Sequence, residues 1–259
     1  MKITILTLFP ELFEGFANNS IIKRAIAKGV CELEFKNIRD YTKDKYGRVD
    51  TPPIGGGAGL VMKCQPVVDA IKDNKTAESN VILMSPRGQT YNQKKAHQLA
   101  NEYKHIILVC GHYEGLDERI NNYIDETISI GDFILTGGEI ASMAIADSII
   151  RLLDGAIAED STQEESFENG LLEYPQYTEP YDFEGHKVPD ILYSGNHSAI
   201  KKWRQKQSLK LTRELRKDLF DKFPLSKSDK KLLDEIDSGE SEPKWEKDAK
   251  EKGYKFMKK

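Results

Sequence analysis

The sequence predicts an α/β fold in which a mostly parallel sheet carries helices on both faces, with a smaller helical domain after it. Strand-like and helix-like segments alternate through residues 1–156, which is typical of such sheets. Several apolar strands end directly in glycine-bearing loops, the edge at which these folds bind ligands. No segment approaches the ~18 apolar residues that a membrane span needs.

Composition narrows the protein class further. The chain has 259 residues and a net charge of −4; 39% of its residues are hydrophobic and 31% charged, which excludes collagenous, low-complexity and wholly disordered proteins. Cys31, Cys64 and Cys110 stand far apart without a CxxC spacing, so neither a disulfide framework nor a zinc site is expected. The histidines show no metal-ligand spacing either, and we expect no protein metal site. Free thiols fit a cytoplasmic protein.

Each element of the first domain has a local signal. Short apolar runs predict strands at Ile3–Phe9, Val81–Met84 and His105–Cys110, the first and last of them buried, and Val30–Lys36 is also expected to be a strand. Capping residues and glycine stops predict helices from Ser20 to Gly29, from Gln65 to Lys72, and from Asn92 to about Tyr103. Residues 138–153 are apolar almost all round and predict a buried helix.

Four glycine-bearing segments are candidates for ligand contact. Three follow strands or strand-like runs, at 85–88, 111–115 and 131–138. The fourth, Gly55–Gly59, lacks the lysine of a phosphate-binding loop and the pattern of a dinucleotide fingerprint. It is either a flexible surface hairpin or a lid that closes over a ligand.

The second half of the chain is polarised in charge. Ten acidic residues oppose one lysine over residues 156–192, whereas twelve basic residues oppose four acidic ones over 201–231. A helix capped by Asn196 or Ser198 is expected to run to about Lys217, and Ser226 with Asp229 predicts a capping box for a last helix. On the first of these helices, Ile200, Trp203, Leu211 and Leu215 fall on one face, opposite a basic stripe of Lys202, Lys206, Arg213 and Lys217.

These patterns divide the chain into an α/β domain (1–156), an acidic linker (157–169), a helical domain (170–236) and a charged, disordered tail (237–259). From composition alone, Glu164-Glu165-Ser166-Phe167 is expected to be a solvated charge run. Arg151 is likewise expected to reach the surface or to pair with a carboxylate.

Eight stretches of sequence, in order, carry a family resemblance. They are LFPELF, GGGAG at 55–59, LMSPRG at 83–88, ILVCGHYEGLDER at 107–119, SIGDFILTGGE at 129–139, EESFENGLLEYPQYTEP at 164–180, VPDILYSGNH at 188–197 and WRQKQSL at 203–209. With them the chain resembles the TrmD family of bacterial tRNA (guanine-N1)-methyltransferases, in the SPOUT superfamily.

The resemblance implies a SPOUT fold with a deep trefoil knot that binds S-adenosylmethionine, and a homodimer whose active sites are shared between subunits. The implied cofactor-binding residues are Leu83, Met84, Ser85, Pro86, Gly111, Tyr113, Glu114, Ser129, Ile130, Gly131, Phe133, Leu135, Gly137 and Gly138. The implied tRNA-binding residues are Gly57, Gly59, Glu114, Ser166, Lys202, Lys206 and Arg213.

The implied reaction transfers a methyl group to N1 of guanosine 37 in tRNA, next to the anticodon. N1 carries a proton at neutral pH, so a base must remove it, and charge that moves onto O6 needs a positive partner. By the family's pattern these roles fall to Glu165 and Arg151. Assistance by Mg²⁺ is also expected.

The chain departs from the family's usual pattern at a few positions. Glu165 stands where the family usually has Asp, Ala58 and Ala141 where it usually has Pro, and His112 where Arg is common. A displacement of about 1 Å can cost about 100-fold in rate. The longer Glu165 arm therefore leaves an alternative open, a non-catalytic tRNA- or nucleotide-binding relative. A Rossmann-type oxidoreductase is disfavoured because its fingerprint is missing.

Overall fold

The structure, a computed structural model, describes residues 1–157, 164–239 and 243–257. The chain forms two compact units, Met1–Glu159 (unit 1) and Asp160–Lys259 (unit 2). The acidic linker expected at 157–169 lies outside the described residues over 158–163. Within the described ranges, no helix is long and apolar enough to cross a membrane.

Unit 1 alternates strands and helices, as the sequence predicts. Its strands are β1 (Lys2–Thr7), β2 (Glu32–Asn37), β3 (Asp50–Thr51), β4 (Val61–Met62), β5 (Ser79–Thr90), β6 (His105–Cys110) and β7 (Glu126–Ser129). Its helices are α1 (Glu14–Ala17), α2 (Ser20–Ala27), α3 (Cys64–Asn74), α4 (Gln93–Glu102) and α5 (Glu139–Ile150). Short 3₁₀ turns cover Pro10–Phe13, Ile38–Tyr41 and Glu118–Tyr123.

Five of these strands form one parallel sheet in the order β2-β1-β6-β5-β7, which confirms the predicted sheet type. Side chains alternate between its two faces, as strand geometry requires. On β6, Ile106 and Leu108 pack on one side with helices α2, α4 and α5, while Ile107 and Val109 pack on the other side with α3. Helices therefore cover both faces, and the carboxyl ends of β5, β6 and β7 meet at one edge.

Two local predictions in unit 1 are wrong in detail. Ser20 is the first helical residue of α2 rather than its cap, and Asn19 at the N-cap makes no side-chain capping bond. Strand β5 continues past Met84 to Thr90, because Met84 and Gln89 both pair with Ile128 and residues 85–88 bulge between them. The strand-like run before the loop at 131–138 is β7, whose bounds the half-polar sequence did not indicate.

Unit 2 is mainly helical. Its helices are α6 (His197–Leu215), α7 (Lys217–Phe220), α8 (Lys227–Asp237) and α9 (Lys244–Met257), and a short hairpin pairs β8 (Asp182–Phe183) with β9 (His186–Lys187). Asn196 caps α6 through a bond from the Ala199 amide, and Ser226 with Asp229 forms the predicted capping box of α8. Leu171, Leu209, Leu232 and Leu233 form a buried core.

Three of the four residues in the predicted basic stripe on α6 are paired with carboxylates of α8. The fourth, Lys217, lies beyond the end of α6 at Leu215, begins α7 and is exposed. Lys206 is buried, and its Nζ lies 3.2 Å from Oε2 of Glu235 on α8. Lys202 shares the same carboxylate at 3.4 Å, and Arg213 pairs with Asp237 at 2.9 Å. Leu215, assigned to the apolar face, is 67% exposed. The helical periodicity of α6 predicted the wrong buried face, because α8 supplies carboxylates that let the basic face of α6 pack inward.

The expected disordered tail also differs from the structure, which has helix α9 within it. Ala249 is buried with Trp203 and Ile191, and the Trp245 indole donates to the Glu235 carboxylate at 3.1 Å. The Lys202 ammonium lies 4.1 Å from the centre of the Trp245 ring, a cation–π contact. The tail sequence is charged overall, but it carries the few apolar residues with which α9 packs against the rest of unit 2.

Leu209 and Leu215 offer a matched pair on one helix. Leu209 is fully buried, so Leu209→Ala should destabilise unit 2 by about 2–5 kcal/mol, while the exposed Leu215→Ala should change stability by less than about 0.5 kcal/mol. Urea unfolding followed by circular dichroism measures both. Equal losses for the two variants would contradict the described packing of α6.

Candidate active site

A cavity of about 550 Å³ lies at the carboxyl ends of β5, β6 and β7 in unit 1. Its volume falls within the range of small-molecule sites. All fourteen residues that the resemblance assigns to the cofactor lie in its wall: Leu83, Met84, Ser85, Pro86, Gly111, Tyr113, Glu114, Ser129, Ile130, Gly131, Phe133, Leu135, Gly137 and Gly138. The structure brings these residues together, and their binding role stays a prediction.

Two walls of the cavity meet backbone to backbone. The Gly138 amide donates to the Gly111 carbonyl at 2.8 Å, and His112 bridges to Gly137. A Cβ on Gly138 would lie 2.8 Å from Cys110 Cα, which is too close for any side chain. Glycine at 138 therefore lets the start of α5 approach the end of β6, and it leaves backbone groups at the cavity surface.

A third wall comes from the loop after β7. The Ser129 hydroxyl donates to the Gly131 carbonyl at 3.0 Å, and Gly131 has a φ of +147° that favours glycine. The bulge at 85–88 supports this wall, since a Cβ on Gly88 would lie 2.5 Å from the Ile128 amide nitrogen. Three segments from three adjacent strands thus surround one space.

Tyr113 is held in an uncommon conformation at the cavity. Its φ of +60° lies in the left-handed region, which costs free energy for a side chain of this size and often marks a functional loop. Burial, and then a hydrogen bond with Asp50, raises the pKa of the Tyr113 phenol, although Arg39 opposes this effect. The phenol therefore stays neutral near pH 7.

The glycine-rich segment at 55–59 lies in the connection of the β3–β4 hairpin and touches the cavity at one point. A Cβ on Gly59 would overlap the Glu114 carboxylate, and the Glu114 amide donates to the Leu60 carbonyl at 3.0 Å. Gly57 instead packs against Pro53 and is not part of the cavity wall. The segment therefore connects a hairpin and contacts Glu114, and its closure over a ligand stays a prediction.

A buried carboxylate behind the cavity escaped sequence analysis. Glu139 is 5% exposed, accepts a hydrogen bond from the Thr7 hydroxyl at 2.9 Å, and has Oε2 3.9 Å from His112 Nδ1. It occupies the first turn of α5, where the helix dipole favours negative charge. Glu139 thereby links the end of β1 to two cavity loops. The only sequence feature that could have indicated a buried Glu139 is its position directly after two glycines.

The two candidate catalytic residues lie in different units. Arg151 caps the carboxyl end of α5 and is half-buried, and the twelve residues of α5 span about 18 Å between it and Gly138. Among the described residues that line the cavity, Arg151 does not appear. Glu165 is half-buried in unit 2, beside Ser166, whose hydroxyl accepts from the Glu173 amide at 2.9 Å.

The described residues offer neither a metal site nor a reactive thiol. Across the described ranges, no group of three or more His, Cys, Asp or Glu side chains could hold a metal ion. All three cysteines are free, as predicted. Burial raises the pKa of the Cys110 thiol, which lies behind the cavity and is not placed for nucleophilic chemistry.

Comparisons with known proteins agree on one family. A sequence profile described as "tRNA (Guanine-1)-methyltransferase TrmD" matches residues 1–222. A tRNA (guanine-N(1)-)-methyltransferase of Clostridium novyi is 56% identical over 236 residues, covering 90% of this chain and 97% of the relative. Its namesake in Malacoplasma penetrans is 54% identical over 226 residues, covering 86% and 98%. The one in Clostridium acetobutylicum is 54% identical over 237 residues, covering 91% and 97%.

Gly138 offers a direct test of the cavity. Gly138→Ala should weaken S-adenosylmethionine binding at least about 10-fold, because the methyl group would force the start of α5 away from β6. Gly15→Ala, where a Cβ meets nothing within 4 Å, is the control and should bind normally. Isothermal titration calorimetry measures both. Unchanged binding by Gly138→Ala would contradict the assignment.

Proposed function

The chain belongs to the TrmD family of tRNA (guanine-1)-methyltransferases, and from this premise we propose that it methylates N1 of guanosine 37 in tRNA. One observation carries the proposal beyond the family match. The fourteen residues expected to hold S-adenosylmethionine, scattered between positions 83 and 138, surround a single cavity. This arrangement supports cofactor binding, and turnover separates the enzyme from a non-catalytic relative that keeps the same cavity.

The cavity suits S-adenosylmethionine in size and chemistry. Its volume of about 550 Å³ is ample for one nucleoside-sized molecule. Leu83, Ile130 and Leu135 offer apolar surface for an adenine ring, and the glycine backbones at 111 and 137–138 leave polar groups within reach of a ribose or a carboxylate. When bound, the cofactor would supply an electrophilic methyl group on a sulfonium sulfur.

The chain's own residues would then handle one proton and one developing charge. Glu165 accepts the proton that leaves N1 of the guanine, which frees the nitrogen lone pair to form the new N1–methyl bond. Arg151 faces O6, where electron density collects as the proton leaves. The cavity fixes the methyl donor, and substrate orientation supplies much of the remaining rate enhancement.

We also propose a homodimer in which each active site takes residues from two copies. Arg151 sits about 15 Å along α5 from Ala141, the last residue of that helix in the cavity wall, so the Arg151 of a second copy is the better candidate for that cavity. Helix α5 also exposes apolar side chains: Ile140 is 59% exposed, and Ile134, in the loop before the helix, is 81% exposed. The proposed dimer would cover Ile140, and Ile134 also lines the cavity.

Several finer expectations belong to this proposal. Lys202 and Arg213 keep 40% and 30% of their side chains exposed and remain candidates for binding tRNA phosphate. Buried Lys206 would first have to leave Glu235. Gly57, Gly59 and Ser166 also remain candidates for tRNA contact. The trefoil knot, a cytoplasmic location and assistance by Mg²⁺ stay predictions, the last without ligand residues.

Turnover tests the function directly. Labelled S-adenosylmethionine should transfer its methyl group to an unmodified tRNA transcript with guanosine at positions 36 and 37, and not to a matched transcript with adenosine at 37. Label on neither transcript, with cofactor binding intact, would instead support the non-catalytic alternative. Label on both would contradict guanosine 37 as the target.

The base assignment makes a separate prediction. Glu165→Gln removes the proton acceptor but keeps the side-chain length, so kcat should fall about 10²- to 10⁴-fold while the cofactor Kd changes little. Glu168→Gln, three residues along the same acidic segment, is the control and should stay close to normal. If Glu165→Gln methylates tRNA at the normal rate, Glu165 is not the base.

The shared active site can be tested by complementation. Arg151→Gln and Gly138→Ala should each be inactive alone, since one lacks the O6 partner and the other the intact cavity. Co-expressed with different tags and purified as the mixed dimer, they should recover about half the activity of a normal dimer, because one of its two sites is complete. Recovery near zero, with the mixed dimer present, would place Arg151 and the cavity of one chain in the same site.

A further inference from the structure

The segment that carries Glu165 is fastened to helix α6 by three side chains. The Tyr174 hydroxyl donates to Oε2 of Glu164 at 2.5 Å, and Arg204 Nη1 lies 3.3 Å from the same oxygen. The Arg204 guanidinium also stacks 4.5 Å from the centre of the Tyr174 ring. We call Glu164, Tyr174 and Arg204 the Glu164 clamp. Each member contacts both others, so the arrangement is more restrictive than an isolated surface ion pair.

The far end of the same segment is fastened to α6 as well. The Leu172 amide donates to the Thr212 hydroxyl at 2.8 Å, and the neighbouring Leu171 is buried in the core of unit 2. The Phe167 amide closes the loop by donating to the Leu171 carbonyl at 2.8 Å. Arg204 and Thr212 are about 12 Å apart along α6, so the helix holds the segment at two separate points.

Glu165 lies between these attachments. Its preceding residue, Glu164, is held by the clamp, and its following residue, Ser166, accepts a hydrogen bond from the Glu173 amide at 2.9 Å. A glutamate has one more rotatable bond than the aspartate usual in the family, so its carboxylate depends more strongly on a fixed backbone. The described contacts fix that backbone on both sides.

We propose that Glu164, Tyr174 and Arg204 are positioning residues that hold the Glu165 carboxylate where it can accept the N1 proton. The inference rests on the proposed function, since it assumes that Glu165 is the base. In this proposal the clamp acts through the position of Glu165 and not by touching substrate. Without it, the base remains present but samples positions from which proton transfer is slow, and a misplacement of about 1 Å can cost about 100-fold.

Charge and hydrogen bonding make the three contacts of the clamp depend on one another. Burial and the bond to Glu164 raise the pKa of Tyr174, so the phenol keeps its proton and remains a donor. Arg204 pairs with Glu164 and stacks on the Tyr174 ring, so the loss of any one side chain loosens the other two.

Single-turnover methylation at saturating tRNA and cofactor tests the clamp. Tyr174→Phe, Glu164→Gln and Arg204→Gln should each lower the rate constant about 5- to 50-fold, with the tRNA Kd within about 3-fold of normal. Tyr177→Phe and Lys210→Gln, which remove a hydroxyl and a charge nearby, should behave normally. Thermal unfolding checks that the variants fold, and Tyr174→Phe is the least disruptive of them.

The same variants in a Glu165→Gln background distinguish a failure of the clamp proposal from a failure of the base assignment. If the clamp acts through Glu165, adding Tyr174→Phe or Arg204→Gln should cause less than about a 2-fold further loss. If a clamp substitution lowers the rate constant of Glu165→Gln as much as it lowers that of the normal protein, the clamp does not act through Glu165. Normal rate constants for the single clamp variants, when Glu165→Gln itself is slow, would likewise contradict the positioning role and leave the base assignment intact. A weaker tRNA Kd with an unchanged rate constant would assign Arg204 to tRNA binding and likewise overturn the inference. A normal rate for Glu165→Gln would refute the base assignment itself.

Discussion

Two stretches of backbone meet at Gly138 without a side chain between them, and the cavity depends on this contact. The hydrogen bond from Gly138 to Gly111 joins the start of α5 to the end of β6, and a Cβ would strike Cys110. Parallel pairing brings β5 and β7 to the same edge, so the third wall closes against the first two. Glu139, one residue later, anchors the contact from behind through Thr7. The site is thus a product of strand order and close glycine approach.

The same helix underlies the proposal that each active site takes residues from two copies of the chain. Helix α5 begins at the cavity and ends at Arg151, so the residue assigned to O6 lies a helix length from the cofactor wall of its own chain. The proposed base, Glu165, belongs to unit 2, where contacts to α6 hold its segment. In the proposed mechanism, the cofactor site, the partner of O6 and the base belong to three separate parts of the protein, which a dimer and its bound tRNA would bring together.

Sequence reasoning succeeded where the residue pattern has one physical interpretation. His105–Cys110 is apolar at every position after the histidine and forms a strand buried at all six residues. Asn92 and Ser226 cap helices as their side chains allow. It failed where burial depends on a distant partner. Glu126 on β7 is satisfied by Lys95 and Asn80, and Lys206 by a carboxylate on α8. A single sequence shows none of these partners, and Glu139 was missed for the same reason.

Hydrogen–deuterium exchange with and without S-adenosylmethionine tests the central claim, that three strand-end loops of unit 1 form one cofactor site. The account predicts slower exchange on binding in residues 83–88, 111–115 and 129–138, in all three segments at the same ligand concentration, and little change in α3 or in unit 2. Binding that leaves these segments unprotected, or protects one of them alone, would contradict it.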